Sequence, residues 1–486
     1  MYHSAYLIEY ITMTKAPIYI SLLILSVLTS SCIAKIDLSE GHVFPDTPGY
    51  LYPFQNEARD IKAEIIIKTK ENIDQTSFAT EIPKLKYNKS WLLMLTQDDC
   101  MHAAYSCTWA AINGKPLSHK YYYDAGHLRK GDLPPEIYHL QTTLGSTDGA
   151  GNESRFAFTT TLSPDAAWMN TPAKISLGYT KDYYRFYQKS GLTWNNVRQM
   201  LNYGCGIAFH NVKVTDEKDE SLILAQLPIA QDSILKHLNG RGSKFLAEPD
   251  GNKAYVNAAQ SYAPIQTMTA QAGATKLYPF DVDNDLHQVL TERWFNDSPS
   301  SFMPIIEAEL SKPKEKRMAI HIGVHNTDTS WVQFLQWIND TYGKDGDDSV
   351  WFPSQEEYYE YNYYRTNGGT PQLERIDDHT LKLTVSLPSD EHFYYPAITV
   401  NVKGLKLDEV ASVEAGETIT GLSYADYEDG LMLNIDCRKF LLQHATHFVE
   451  QYEKKKADKS NQADALYFVN MLKASDAKSE LLKRIQ

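Results

Sequence analysis

Two adjacent carboxylates, Asp98 and Asp99, close an unbroken apolar run, Trp91-Leu92-Leu93-Met94-Leu95, after the polar pair Thr96-Gln97. A buried strand that ends in paired acids holds two like charges side by side. These ionise together only where a cation or a shared proton compensates them. The placement suits a metal-dependent hydrolytic site. The dipeptide taken alone suits a solvated Asp-Asp turn better, so the rest of the chain must decide. Two histidines stand in comparable places. His210 follows the apolar stretch Gly206-Ile207-Ala208-Phe209, and His325 follows Ile320-His321-Ile322-Gly323-Val324. A histidine at such a strand end is a metal ligand, an acid–base group working near neutral pH, or a core side chain with a satisfied hydrogen bond.

These side chains need a scaffold that ends its strands at one mouth, and the pattern between residues 84 and 346 predicts one. Strands are expected over 156–161, 206–210, 243–247 and 317–324. Helices are expected over 193–203, 220–238, 253–262 and 329–342, the first capped by Thr193 and stopped at Gly204. Alternating strands and helices imply a mainly parallel α/β architecture with its site at the carboxyl ends of the strands. The tyrosine-rich run at 358–364 reads as a helix with its rings half in the core. Beyond Gly369 the pattern changes to short alternating strands at 380–387, 397–402, 410–413 and 430–435, a small antiparallel β-domain of sandwich type. A helix over 439–454, a polar break at 456–462 and further helix follow. Residues 61–69 alternate and are rich in isoleucine, which marks a strand well before the barrel.

Composition bounds the function. A chain of 486 residues suggests two or three domains, and a formal charge of −14 with no basic stripe excludes a nucleic-acid binder. The 32 tyrosines and 8 tryptophans are chiefly core, although flat rings also stack on sugar faces. Lys15, an apolar stretch over 18–28 and Thr29-Ser30-Ser31-Cys32 have the order of a secretory signal. With cysteine directly after the small residues the segment resembles a bacterial lipoprotein signal, which implies lipidation of Cys32. Cys100, Cys107, Cys205 and Cys437 form no zinc-ribbon or CxxC spacing and read as free buried thiols. Asp281, Asp283 and Asp285 are spaced like a calcium loop but lack its glycine and closing glutamate, so they read as a solvated loop. His102, His119, His127 and His139 read as surface loop residues.

Taken in order, Thr96-Gln97-Asp98-Asp99, the helix–Gly204–strand–His210 unit, Ala247-Glu248-Pro249-Asp250-Gly251 and Ile320 to His325 resemble the NodB-type polysaccharide deacetylases, related to carbohydrate esterase family 4. The resemblance covers residues 84–365. It implies Asp98 as general base, Asp99 and His210 as ligands of a divalent cation such as zinc, and His325 as general acid. His321 is the reserve candidate for that last role, and Pro249, Asp250 and Gly251 correspond to the substrate loop. Two family positions differ. The second metal histidine, four residues after the first, is Val214, leaving Asp216 or Asp219 as substitutes, and the arginine that tunes the base falls near Ala247.

The expectation is therefore a deformed (β/α) barrel of polysaccharide deacetylase type with an additional C-terminal antiparallel β-domain. The segments are 1–32 signal, 33–84 tether and strand region, 85–368 barrel, and 369–486 β-domain with terminal helices. The expected activity is metal-dependent removal of acetyl groups from an acetylated polysaccharide or oligosaccharide by a protein lipid-anchored at a bacterial cell envelope. No protein partner is expected. A glycan-binding protein on the same scaffold, or a glycoside hydrolase on a similar barrel, are the alternatives.

Overall fold

The computed structural model describes residues 42–43, 48–73, 78–119, 137–164, 169, 174–175, 191–296 and 298–486; Cys32 and His127 lie outside the described residues. Two early strands, β1 (Arg59–Thr69) and β2 (Ala79–Glu81), take their partners from the far end of the chain. The barrel follows with β3 (Trp91–Gln97), β4 (Thr159–Leu162), β5 (Gly206–Phe209), β6 (Phe245–Ala247), β7 (Thr267–Ala270), β8 (Leu290–Glu292), β9 (Trp294–Phe295), β10 (Ile320–Val324) and β11 (Val350–Trp351).

All neighbours in this sheet are parallel, in the order β8-β7-β6-β5-β4-β3-β10-β9, with β11 against the start of β3. Its two end members, β8 and β9, are consecutive in the chain and separated by Arg293 alone. The ring therefore closes through one residue. The barrel helices are α1 (Trp194–Asn202), α2 (Glu220–His237), α3 (Lys253–Gln260), α4 (Phe302–Leu310), α5 (Thr329–Tyr342) and α6 (Gln355–Asn367). A reciprocal capping box between Thr193 and Asn196 opens α1, as the sequence signal implied.

Outward residues of the strands, among them Leu93, Leu95, Ile207, Phe209, Met268, Ile320 and Ile322, pack with the helices in one large core. Inward residues are smaller and more polar: Thr96, Thr159, Thr161, Ala208, Ala247, Thr267, Thr269 and Thr291 are all buried.

The β-domain is a two-sheet sandwich. One sheet runs β12 (Gln372–Asp377), β13 (Thr380–Ser389), β1, then β15 (Val410–Ala415). The other runs β16 (Gly421–Tyr427), β17 (Gly430–Asp436), β14 (Ala397–Lys403), then β2. Both early strands thus belong to the domain whose other strands follow the barrel. Alternate residues of β13 (Leu381, Leu383, Val385 and Leu387) are buried between the sheets, each stabilising by about 1.5–3 kcal/mol on an area basis. The same core takes in Leu92 and Met94 of β3 and Tyr358, Tyr359, Tyr361 and Tyr364 of α6, so barrel and sandwich share one apolar interior.

The last helices, α7 (Leu441–Lys454), α8 (Lys459–Asn470) and α9 (Asp476–Ile485), pack beside the barrel. They are tied to it by the buried carboxylate of Asp464, which accepts from Arg155 Nη1 at 2.6 Å and from the Tyr203 hydroxyl at 2.6 Å and pairs with Lys115. His444 on α7 is buried between the Asn202 carbonyl, 2.9 Å from its Nε2, and the Tyr50 hydroxyl, 3.1 Å from its Nδ1. Burial, with the Arg438 charge second, lowers its pKa to about 3.

His321, inside the barrel, is held at about 3 by burial and then by Arg293. Both side chains take up a proton near pH 6.5 when unfolded but only near pH 3 when folded. Between those values the unfolded chain binds more protons, so stability is fully present above about pH 6.5 and falls as pH drops towards 3. The thermal midpoint should decline steadily below pH 6.5, and His444→Gln should flatten that decline. An unchanged slope in the variant would remove His444 from the account.

Candidate active site

The chain leaves β3 by a backbone reversal that few residues tolerate. Asp98 N–H donates to the Val324 carbonyl at 2.8 Å, extending the pairing with β10 by one residue. Asp99 (φ 61°) and Cys100 (φ 52°) then adopt left-handed conformations in succession. Aspartate enters this region more readily than most residues because its short polar side chain bonds locally. The turn sends the two carboxylates to different surroundings. Asp98 is 2 % exposed, whereas the Asp99 side chain is 47 % exposed at the mouth.

Asp98 is held by an arginine. Arg293 is itself fully buried, and its Nη1 donates to Asp98 Oδ1 at 2.7 Å while Nη2 donates to the Glu248 carbonyl at 2.8 Å. Its guanidinium carbon lies 4.8 Å from the centre of the Phe295 ring. A Cβ at Gly323 would come within 2.2 Å of that ring, so the glycine gives Phe295 its place. The position near Ala247 lacks an arginine, and Arg293, between β8 and β9, places a guanidinium on Asp98 instead. Asp98 is left with Oδ2 directed to the site, 3.9 Å from His210 Nε2.

His210 is 3 % exposed at the end of β5, and its Nδ1 lies 2.8 Å from the Ala247 carbonyl. A carbonyl only accepts, so the neutral ring carries its proton on Nδ1 and presents a bare Nε2 to the mouth. That Nε2 is 3.4 Å from Asp99 Oδ1. Burial pulls the His210 pKa down, but the Asp98 charge and the Asp99 contact outweigh it and leave it raised. Asp99 is lowered in turn, first by the bond to His210, with His325 and Arg293 adding to the effect. His325 is half-buried, its ring centre 5.1 Å from that of Phe295.

Asp98, Asp99, His210 and His325 therefore meet at the carboxyl ends of β3, β5 and β10. His321 does not join them. It lies within the barrel, 3 % exposed, its Nε2 2.8 Å from Thr96 Oγ1. Pro249 is buried, and Asp250 (φ 48°) and Gly251 (φ 70°) form an exposed turn beyond β6.

The donor types fit a divalent cation, with Asp99 Oδ1 and His210 Nε2 as the two groups to hold it. A third does not come from the positions named in the sequence. Val214 is 53 % exposed, Asp219 caps α2 through the Ser221 and Leu222 amides, and Asp216 is exposed. Among the described residues no group of three His, Cys, Asp or Glu side chains is arranged to hold a metal ion. Several other expectations can be placed. Cys100, Cys107, Cys205 and Cys437 are free and buried. His102 is not a surface residue: it is buried, with Nδ1 3.2 Å from Ser106 Oγ.

Residues 63–486 match the family model described as "Putative polysaccharide deacetylase", and the chain belongs to that family. No curated protein matches it by sequence.

Sequence reasoning missed Arg293. Its signal was slight, a cation inside the alternating stretch Leu290-Thr291-Glu292-Arg293-Trp294-Phe295. Removing one member of a buried pair leaves the other charge uncompensated, a cost of about 3–5 kcal/mol. Arg293→Met should therefore lower unfolding free energy by that order in denaturant titrations, and adding Asp98→Asn should restore a good part of it. Strict additivity of the two substitutions would show that the pair does not interact.

Proposed function

We propose that this protein removes acetyl groups from a glycan by cation-assisted hydrolysis. The observation that supports this is the junction of an arginine-held aspartate, a second aspartate and two histidines at one barrel mouth. Membership of the family implies a polysaccharide substrate. A divalent cation such as zinc, held by Asp99 and His210, would polarise the acetyl carbonyl and acidify a water.

The chain's own groups supply the rest. Asp98 uses Oδ1 to accept from Arg293 and so keeps Oδ2 for the proton of the attacking water. As the C–N or C–O bond to the sugar breaks, His325 gives its proton to the departing amine or alcohol. Acetate and the free sugar group leave, and proton exchange with solvent resets both residues. The Pro249–Gly251 turn stands at the rim, where it borders an entering sugar. We propose further that the protein is a bacterial lipoprotein, anchored at the cell envelope through Cys32.

Acetate release from acetylated oligosaccharides tests the reaction. Asp98→Asn should lower kcat by about 10²–10⁴-fold, the usual span for losing an acid–base group, without new reducing ends in either protein. New reducing ends would point to a glycoside hydrolase. Binding of the oligosaccharide with no acetate release at any cation concentration would point to a glycan-binding protein. Because the His210 pKa is raised, a proton competes with the cation up to a higher pH than at an ordinary histidine. Zinc affinity measured by calorimetry should therefore rise with pH through and above 6.5, and His210→Ala should abolish that dependence. Cys32→Ser should move the protein from the membrane fraction to the soluble one.

A further inference from the structure

A cleft of about 110 Å³ opens where the barrel, the sandwich and the terminal helices meet. Its walls include Ala157, just before β4, and Gly204, just before β5, so it borders the amino ends of the barrel strands. His210 lies six residues beyond Gly204 along β5, about 20 Å of extended chain away. The cleft and the barrel mouth are at opposite ends.

Many charged groups line this cleft, yet they pair with one another. Lys86 Nζ is 2.8 Å from Glu357, Arg438 is 2.6 Å from Asp436, and Arg155 binds both Asp464 and Glu153. Asp148 accepts from the Ala150 and Asn152 amides, the Asn152 side chain and the Ser423 hydroxyl. Lys86, Arg155 and Arg438 are each paired and the Asp148 carboxylate is filled by neutral hydrogen-bond donors, so the walls hold no free charge to offer an anion or a cation and suit a neutral ligand. Tyr87 gives this wall a half-buried ring, with Tyr395, Tyr467 and Phe468 buried behind it, and the half-buried Asn470 adds an amide.

Tyr87 is placed with care. It and Asn88 take left-handed backbone conformations in succession (φ 60° and 57°), held where the Tyr87 backbone amide donates to Thr399 Oγ1 at 2.9 Å and the Asn88 side chain donates from Nδ2 to Asn401 Oδ1 at 2.9 Å. Paired non-glycine residues in this region persist only where their surroundings enforce them, and such places cluster at ligand sites.

We infer that this cleft is a second, non-catalytic site for a neutral sugar unit of a glycan. A pyranose has an apolar C–H face suited to a flat ring and a rim of hydroxyls suited to amides and paired carboxylates, with no charge of its own. The identification of the ligand as a glycan rests on the proposed deacetylase reading; the separate site does not. It would hold a remote part of a polysaccharide while another part occupies the barrel mouth.

The test uses the full chain carrying Asp98→Asn, so that turnover is slow on the timescale of the binding measurement. Tetramers of β-1,4-linked N-acetylglucosamine, xylose, mannose and glucose serve as probes in calorimetry, with hydrogen exchange to map protection. At least one probe should bind and protect residues 421–423 and 467–471. Asn470→Trp, which fills the cleft, and Tyr87→Ala, which removes a ring, should each weaken that binding at least tenfold while the thermal midpoint is kept. Should Tyr87→Ala unfold the chain, Asn470→Trp alone carries the test. Protection confined to the barrel mouth, binding unaffected by either cleft substitution, or no binding by any of the four probes would overturn the inference. Acetate release by the wild type without cleft binding would reject this site and leave the deacetylase standing. Cleft binding without acetate release would do the reverse.

Discussion

The ion pair between Arg293 and Asp98 joins the closure of the barrel to the state of its candidate base. Arg293 is the single residue between β8 and β9, which pair with opposite ends of the same sheet, so the ring cannot close without bringing this position to the interior. A guanidinium there is costly in the absence of an anion, because its desolvation outweighs any single hydrogen bond. Asp98 removes that cost and is itself kept from water at 2 % exposure. The Glu248 carbonyl and the Phe295 ring complete the surroundings of the arginine. Burial first, and then the same Arg293 charge, disfavour a protonated His321 inside the barrel. Beneath them the inward positions are mostly threonine, alanine or glycine. These side chains are small enough to leave room for the arginine, and several bond their hydroxyls back to the strands or to Gln355.

Long periodic elements were legible in the sequence because their signal is local. The helix expected over 329–342 is α5 to the residue, and the strands at 206–210 and 243–247 fall within a few residues of β5 and β6. The tyrosine run is α6, its rings buried against the sandwich much as its helical spacing implied. The four residues singled out from the ordered motifs, Asp98, Asp99, His210 and His325, lie at one mouth. What escaped was non-local. The strands β7, β8 and β9 have four, three and two residues, too short for alternation to mark, and Arg293 lay hidden between two of them. The run at 61–69 read as a strand, but nothing in it said that β13 and β15 would flank it from over 300 residues away. His102 looked like a loop residue because it follows the aspartate pair in a histidine-rich stretch, yet it is buried just before a buried helical segment at 104–109.

The mouth differs from the family pattern most at the cation. His210 has the environment of a ligand, with its Nδ1 committed to the Ala247 carbonyl and its Nε2 directed outward. Asp99 faces it from a left-handed turn that leaves half of the carboxylate in solvent. Catalytic zinc sites hold their ion through three protein donors, whereas among the described residues the proposed donors number two, Asp99 and His210. Under the proposed reading, solvent and substrate would fill most of the coordination sphere. Such an ion is held more weakly and exchanges more readily, and its retention then depends on the substrate as well as on the protein. The raised His210 pKa acts in the same direction, because each cation bound must displace a proton from a site that already attracts one.

The charges that bind the units to one another are as deeply placed as those of the mouth. At the amino ends of the barrel strands, Arg241 and Lys244 meet Glu356 and Glu360 of α6, all four fully buried, and Glu356 also accepts from the Ile207 amide at 3.0 Å. On the flank, Arg155 and Asp464 fix the terminal helices. Ion pairs of this kind add little net stability over apolar packing, but they penalise any arrangement that separates them. Barrel, sandwich and helices are thereby held in one relation, with a polar mouth at one end of the parallel strands and a charge-balanced cleft at the other. A long polymer can contact both ends only along the outside of the barrel. A ligand that depends on such a span is distinguished by its length more than by any single sugar, because a short oligomer reaches either end but never both.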